Sequence, residues 1–210
     1  MLVTNITPDL DVDPSIAIVG SSAILLEKEY GKEIDSFTDV LRFNRAPTEN
    51  YEKYAGSKTT IRVVNQHVFA CQLNTKRWDP KTQPQYLVRE IKDTKIVSIG
   101  PQSLQQFNHS ASLVDKSCSC HVAIQYQALY QLVGQQPTVG FVAMALLVNS
   151  GLKPTLYGFY GQAGGEGSKA LSHYWEQRDN KAPCHNFGKE QEFLREWDEQ
   201  GLLIWKDKDE

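Results

Sequence analysis

The sequence predicts an α/β domain on a largely parallel sheet. Two observations carry this. Short apolar runs bounded by Pro, Gly or Ser recur along the chain, and segments with apolar residues at helical spacing fall between them. The 210 residues suffice for one domain of this kind. It spans 15–210 and follows an irregular polar arm at 1–14 that holds Pro8 and Pro14.

The elements follow in order. Ile16 to Val19 lies between Pro14 and Gly20-Ser21-Ser22, which suits a buried strand feeding a tight turn. A helical segment follows around Ile24 to Tyr30. Val40 to Phe43, Thr60 to Val64 and Ile96 to Ile99 read as further strands, and the polar stretch Asn74 to Gln85 as a surface loop. Residues 121–133 carry apolar positions at helical spacing, stopped by Gly134. The segment VGFVAMALLVNSG is apolar on nearly every side. It predicts a buried helix, with Thr138 as N-cap and Gly151 as its end. Thr155 to Phe159 is a strand leading into the glycine-dense GQAGGEGS at 161–168, which has the backbone freedom to close over a bound molecule. Residues 189–200 set Phe193, Leu194 and Trp197 on one side of a helix closed by Gly201, and Leu202 to Trp205 forms a last strand before a charged tail containing Asp207 and Asp209.

Composition narrows the function classes. Lys and Arg number 22 and Asp and Glu 25, for a net charge of −3, so a broad nucleic-acid-binding surface is not expected. No stretch approaches the roughly 18–20 apolar residues of a transmembrane helix. The opening residues lack the basic region of a secretory signal. The expectation is a soluble protein whose four cysteines, Cys71, Cys118, Cys120 and Cys184, stay reduced.

In a parallel α/β sheet, ligands bind beyond the carboxyl ends of the strands. Three segments should meet there: the Gly20-Ser21-Ser22 turn, the helix start at Thr138, Val139 and Gly140, and the loop after Phe159. Turn and helix-end amides suit an anion. His173 and His185, in SHYWE and CHNFGKE, offer imidazoles for proton transfer near neutral pH. Cys118-Ser119-Cys120-His121 is half of a zinc pattern without a completing pair, and Asp9, Asp11 and Asp13 form overlapping DxD strings in the arm, read as a solvated acidic patch. No GxSxG marks a nucleophile, and neither a metal nor a cofactor is implied.

Taken together, four strings form a recognisable series. Residues 16–67, with YGKEIDSFTDVLRFNRAPT and YAGSKTTIRVVN, resemble the large motif of the eukaryotic-type sialyltransferases, glycosyltransferase family 29. Residues 137–159 are similar to its small motif and HYWE at 173–176 to motif III. His185 followed five positions later by Glu190 is similar to its very small motif. The resemblance implies a GT-A-like Rossmann variant that is metal-independent, uses CMP-sialic acid as donor and a glycan as acceptor, and inverts the anomeric centre. It implies that His185 is the base toward the acceptor hydroxyl and that His173 faces the donor phosphate beside Tyr174. Ser21, Ser22, Asn44, Asn65, Thr138, Val139, Gly140 and Phe159 fall at donor-binding positions. The alternatives are another CMP-keto-sugar such as CMP-Kdo, or a CMP-binding module without catalysis.

Glu190 lies about 140° round a helix from position 185 and cannot share its face. This places His185 in the entering loop and Glu190 in the first turn, where it orients that loop, complements the helix dipole, or is surface charge. The GSSA, LRFN and TTIR strings are closer to the 2,6-linking subgroup and HYWE to the 2,3-linking one, so linkage stays open. Ile16 and Gly151 occupy the positions of the family's cross-motif disulfide. With no anchor evident, the expected compartment is the cytoplasm.

Overall fold

The structure is a computed structural model describing residues 12–65, 95–99, 118–121, 124–159, 173–175 and 185–208. The strands are β1 (Ala17–Val19), β2 (Val40–Phe43), β3 (Ile61–Asn65), β4 (Lys95–Ile99), β5 (Cys118–His121), β6 (Thr155–Tyr157) and β7 (Ile204–Trp205). They form one sheet in the order β5-β4-β3-β2-β1-β6-β7, and each neighbouring pair is parallel. The chain steps outward from β1 to β5, then returns to the opposite side of β1. The order therefore reverses between β1 and β6, and the crevice above their carboxyl ends is where ligands bind in such sheets.

Alternation along the strands divides the interior into two cores. Ile16, Ile18, Leu41, Phe43, Ile61, Val63 and Leu156 face one side. Ala17, Val19, Val40 and Tyr157 face the other. The first side is covered by α3 (Ile124–Val133), α4 (Val139–Asn149) and α5 (Phe187–Glu199). Residues Phe141 to Val148 of α4 are all buried, which is why its sequence shows no polar face. Its N-cap is Thr138, whose hydroxyl accepts the Phe141 N–H at 3.1 Å, and Gly151 follows its end at φ 78°. On α5, Leu194 and Trp197 are buried, and the Trp197 ring stacks on Phe141 with centroids 5.5 Å apart.

The second side is built from less regular backbone. The segment expected to be helical around Ile24 to Tyr30 is a 3₁₀ turn at Ala23–Glu27, and two short helices follow, α1 (Gly31–Asp35) and α2 (Glu52–Ala55). Elements of four or five residues are too short to show a 3.6-residue period. Beneath them Arg42 and Arg62, paired in register on β2 and β3, are buried. Arg42 donates to the carbonyls of Ala55 and Lys58 at 2.6 and 3.0 Å, and Arg62 to those of Asn44 and Ala46 at 3.3 and 2.8 Å. The guanidiniums satisfy loop carbonyls and the helix-end carbonyl of Ala55, which have no partner within helix or strand.

Two further differences from the sequence reading concern the edges. His121 ends β5 rather than opening a helix. Asp207 is wholly buried rather than part of a solvated tail. The arm at 1–11, the 74–85 loop and the 161–168 loop lie outside the described residues. Asp13 is described: its carboxylate accepts the N–H and hydroxyl of Ser15 at 2.9 and 2.7 Å, a local turn that leads into β1.

Candidate functional site

The site is assembled around Phe159, just beyond β6. Its ring meets Phe43 edge-on, with centroids 5.9 Å apart. A Cβ at Gly140 would lie 3.2 Å from this ring and one at Gly20 would lie 3.1 Å from it, so two glycines let the turn after β1 and the start of α4 close onto the same aromatic. The Phe159 carbonyl also accepts from Gln191 of α5 at 3.4 Å.

The turn after β1 is held from β6. Gly20 N–H donates to the Tyr157 carbonyl at 2.7 Å and Ser22 N–H to the Gly158 carbonyl at 3.0 Å. These two amides, expected to face an anion, thus continue the strand pairing instead. Ser22 is buried and its hydroxyl accepts the Ile24 N–H at 3.3 Å, capping the 3₁₀ turn, whereas Ser21 is half-buried. The segment of motif III docks on this turn. Ser22 and His173 form an antiparallel bridge, and Tyr174 N–H donates to the Ser21 carbonyl at 3.0 Å. The His173 ring stacks on Trp175, with centroids 4.5 Å apart and planes within 9°. Tyr174 is buried against Tyr51, and its hydroxyl donates to the Pro47 carbonyl. Its phenol is thereby committed to packing.

Asn44 follows β2 at φ 45°, a left-handed conformation that Asn adopts more readily than most residues. Asn65 ends β3 in register with Ile99.

The start of α4 is joined to the start of α5. Glu190 lies in the first turn of α5, is 5% exposed, and accepts both the N–H and the hydroxyl of Thr138, at 2.6 and 2.7 Å. It is therefore neither surface charge nor a clamp on its own loop; it ties the small motif to the very small motif. Thr138 gives its amide to this carboxylate, so the amides left without an intrahelical acceptor at the head of α4 are those of Val139 and Gly140. Burial pushes the Glu190 carboxyl up to about 7, against the two hydrogen bonds from Thr138 that pull it down.

That shift gives a stability test. A carboxyl raised above its unfolded value favours folding fully below about 4.5 and loses that contribution as pH rises through about 7. The expected loss is about 3 kcal/mol across this window. Asp207, raised to about 6 by burial, acts in the same direction. Glu190→Gln retains an acceptor for the Thr138 N–H and removes the titration. Urea midpoints at pH 5 and 8 should therefore converge in E190Q relative to the parent protein, and an unchanged gap would refute the buried-carboxyl account.

His185 lies where the spacing argument puts it, one residue before Asn186, the N-cap of α5. Asn186 accepts the Lys189 N–H and donates to the Val133 carbonyl, both at 3.1 Å, fixing the loop against the end of α3. His185 Nδ1 lies 2.7 Å from the Gln136 carbonyl. A carbonyl only accepts, so Nδ1 carries the proton, and in the neutral ring Nε2 keeps its lone pair.

A continuous set of contacts thus runs from His185 and Gln136, through Thr138 and Glu190, to Gly140 and Phe159, then Gly20, Ser22 and His173. The sequence reading missed Asp207 and Gly158. No local pattern marks them, because their contacts are made to segments distant in sequence or through backbone atoms. Among the described residues no three His, Cys, Asp or Glu side chains group as a metal set.

By fold, the chain falls with sialyltransferases of known structure. It superposes on a mammalian sialyltransferase with a TM-score of 0.64 at 20% identity, covering 96% of this chain and 75% of that one. A second structure, a mammalian sialyltransferase in complex with Gal-beta-1-3GalNAc-ortho-nitrophenol, gives 0.63. In sequence, residues 14–202 match the signature of glycosyltransferase family 29 (sialyltransferase), and the chain belongs to that family. It is 48% identical over 63 residues to beta-galactoside alpha-2,6-sialyltransferase 2 of Takifugu rubripes, and 40% identical over 73 residues to sialyltransferase-like protein 2 of Arabidopsis thaliana. These alignments cover 30% and 35% of this chain, but only 12% and 17% of those proteins.

Family membership corrects one expectation. The cytoplasmic assignment does not stand, because members of this family are Golgi-lumenal glycosyltransferases. No helix among the described residues is long and apolar enough to cross a membrane, which by itself names no compartment.

Proposed function

We propose that this protein transfers sialic acid from CMP-sialic acid to a hydroxyl of an acceptor glycan, a galactoside, with inversion at the anomeric carbon. The observation that supports it most is the Nδ1 hydrogen bond of His185 to the Gln136 carbonyl, which leaves Nε2 able to take a proton. In the reaction the acceptor oxygen bonds to the anomeric carbon and its proton passes to His185 Nε2. The bond from that carbon to the phosphate oxygen breaks, and its electron pair departs with CMP.

We assign the phosphate to His173 and the first-turn amides of Val139 and Gly140, and the remaining donor contacts to Ser21, Asn44, Asn65 and Phe159. A departing nucleoside monophosphate carries less charge than a diphosphate, so an imidazolium and helix-end amides can stabilise it without a cation. The test is incubation with CMP-sialic acid and a panel of galactosides in the presence of chelator, read by mass spectrometry. The expected result is addition of one sialic acid. Absence of both transfer and donor hydrolysis would refute the reading, and product from CMP-Kdo alone would reassign the donor.

A further inference from the structure

Asp207 lies beyond β7 and is wholly buried, yet it belongs to none of the four motifs. One carboxylate oxygen accepts the Gly158 N–H at 2.7 Å and the other the indole N–H of Trp205 at 2.8 Å. Gly158 is the residue that follows β6 and turns toward Phe159, at φ 74°. Its carbonyl accepts the Ser22 N–H at 3.0 Å, and Ser22 is bridged to His173. A single buried carboxylate thus holds the N–H of the Tyr157–Gly158 peptide, whose own carbonyl accepts the Gly20 N–H at 2.7 Å, while the next carbonyl along, that of Gly158, carries Ser22 and through it the histidine segment. The Lys206 N–H donates to the Leu156 carbonyl at 3.1 Å, which keeps this segment alongside β6 and holds the carboxylate in place.

We propose that Asp207 is a positioning residue for the donor side of the site: by holding the Gly158 N–H it sets the Gly20-Ser21-Ser22 turn and, through it, His173. This rests on the donor assignment above. Charged hydrogen bonds to buried donors carry enough energy that losing one shifts binding about tenfold. Asp207→Asn keeps the shape but offers one acceptor where two N–H groups need one each.

The expected result for D207N is a donor KM raised about tenfold with the acceptor KM unchanged. A merely structural role predicts instead a lower active fraction with both KM values unchanged, which would overturn the proposal. CMP affinity by calorimetry keeps the two readings apart. If the parent protein binds CMP but turns over no CMP-sugar, the proposed reaction fails while weaker CMP binding by D207N still upholds the positioning role. Equal CMP affinity in parent and variant, or no CMP binding by the parent, overturns it. Should D207N fail to fold, D207E retains the charge but displaces the oxygens by one methylene, and the same donor-selective loss is expected.

Discussion

Replacing His185 with Gln should lower kcat/KM for sialyl transfer by roughly a hundred- to ten-thousand-fold, the usual contribution of a general base. The loss should fall on kcat. Gln can still donate to the Gln136 carbonyl that His185 Nδ1 meets at 2.7 Å, so the loop before α5 keeps a tie to the segment before α4. What it cannot do is receive the acceptor proton. CMP affinity and urea midpoint should therefore match the parent protein within error. Undiminished product from correctly folded H185Q would end the assignment of that ring as base.

The second large effect is expected at Gly20. A Cβ there would lie 2.3 Å from the Gly158 carbonyl oxygen and 2.8 Å from its carbon. Both are backbone atoms and cannot rotate aside. Gly20→Ala should cost about 1–3 kcal/mol or more and should weaken CMP binding as well, since relief comes only from separating the ends of β1 and β6. Gly151→Ala is the contrasting control. No atom lies within 4 Å of a Cβ at Gly151, but its φ is 78°. The penalty there is conformational, about 1 kcal/mol, and should leave CMP affinity alone. Urea melts and calorimetry on the two variants separate a crowded position from a twisted one, and equal effects on CMP binding would contradict the packing argument.

Much of the architecture is legible in the sequence because buried parallel strands and a fully buried helix leave dense apolar runs. Val40–Phe43 and Thr138 with α4 fall where those runs place them. The other face of the sheet is not legible. It is closed by one-turn helices and by two arginines bonded to loop and helix-end carbonyls, and neither has a periodic signature. At the site, the helical offset between His185 and Glu190 gives their relative placement. That Glu190 reaches Thr138 depends on the packing of α5 against α4, which no local spacing encodes. Serines 21 and 22 look equivalent in sequence, and only the 3₁₀ turn after them makes Ser22 the cap. Asp207 sits among charges in a terminal stretch and resembles solvated sequence until β7 brings it beneath Gly158.

The reversal of strand order also governs how the molecule is made. Ala17 of β1 pairs with Thr155 of β6, a separation of 155 − 17 = 138 residues. At ordinary translation rates the strand that completes the middle of the sheet emerges roughly ten seconds or more after its neighbour. Until then one edge of β1 presents unpaired N–H and C=O groups, the kind of surface that recruits unintended strands. Closing so distant a pair late slows folding and prolongs the time during which that edge can mispair.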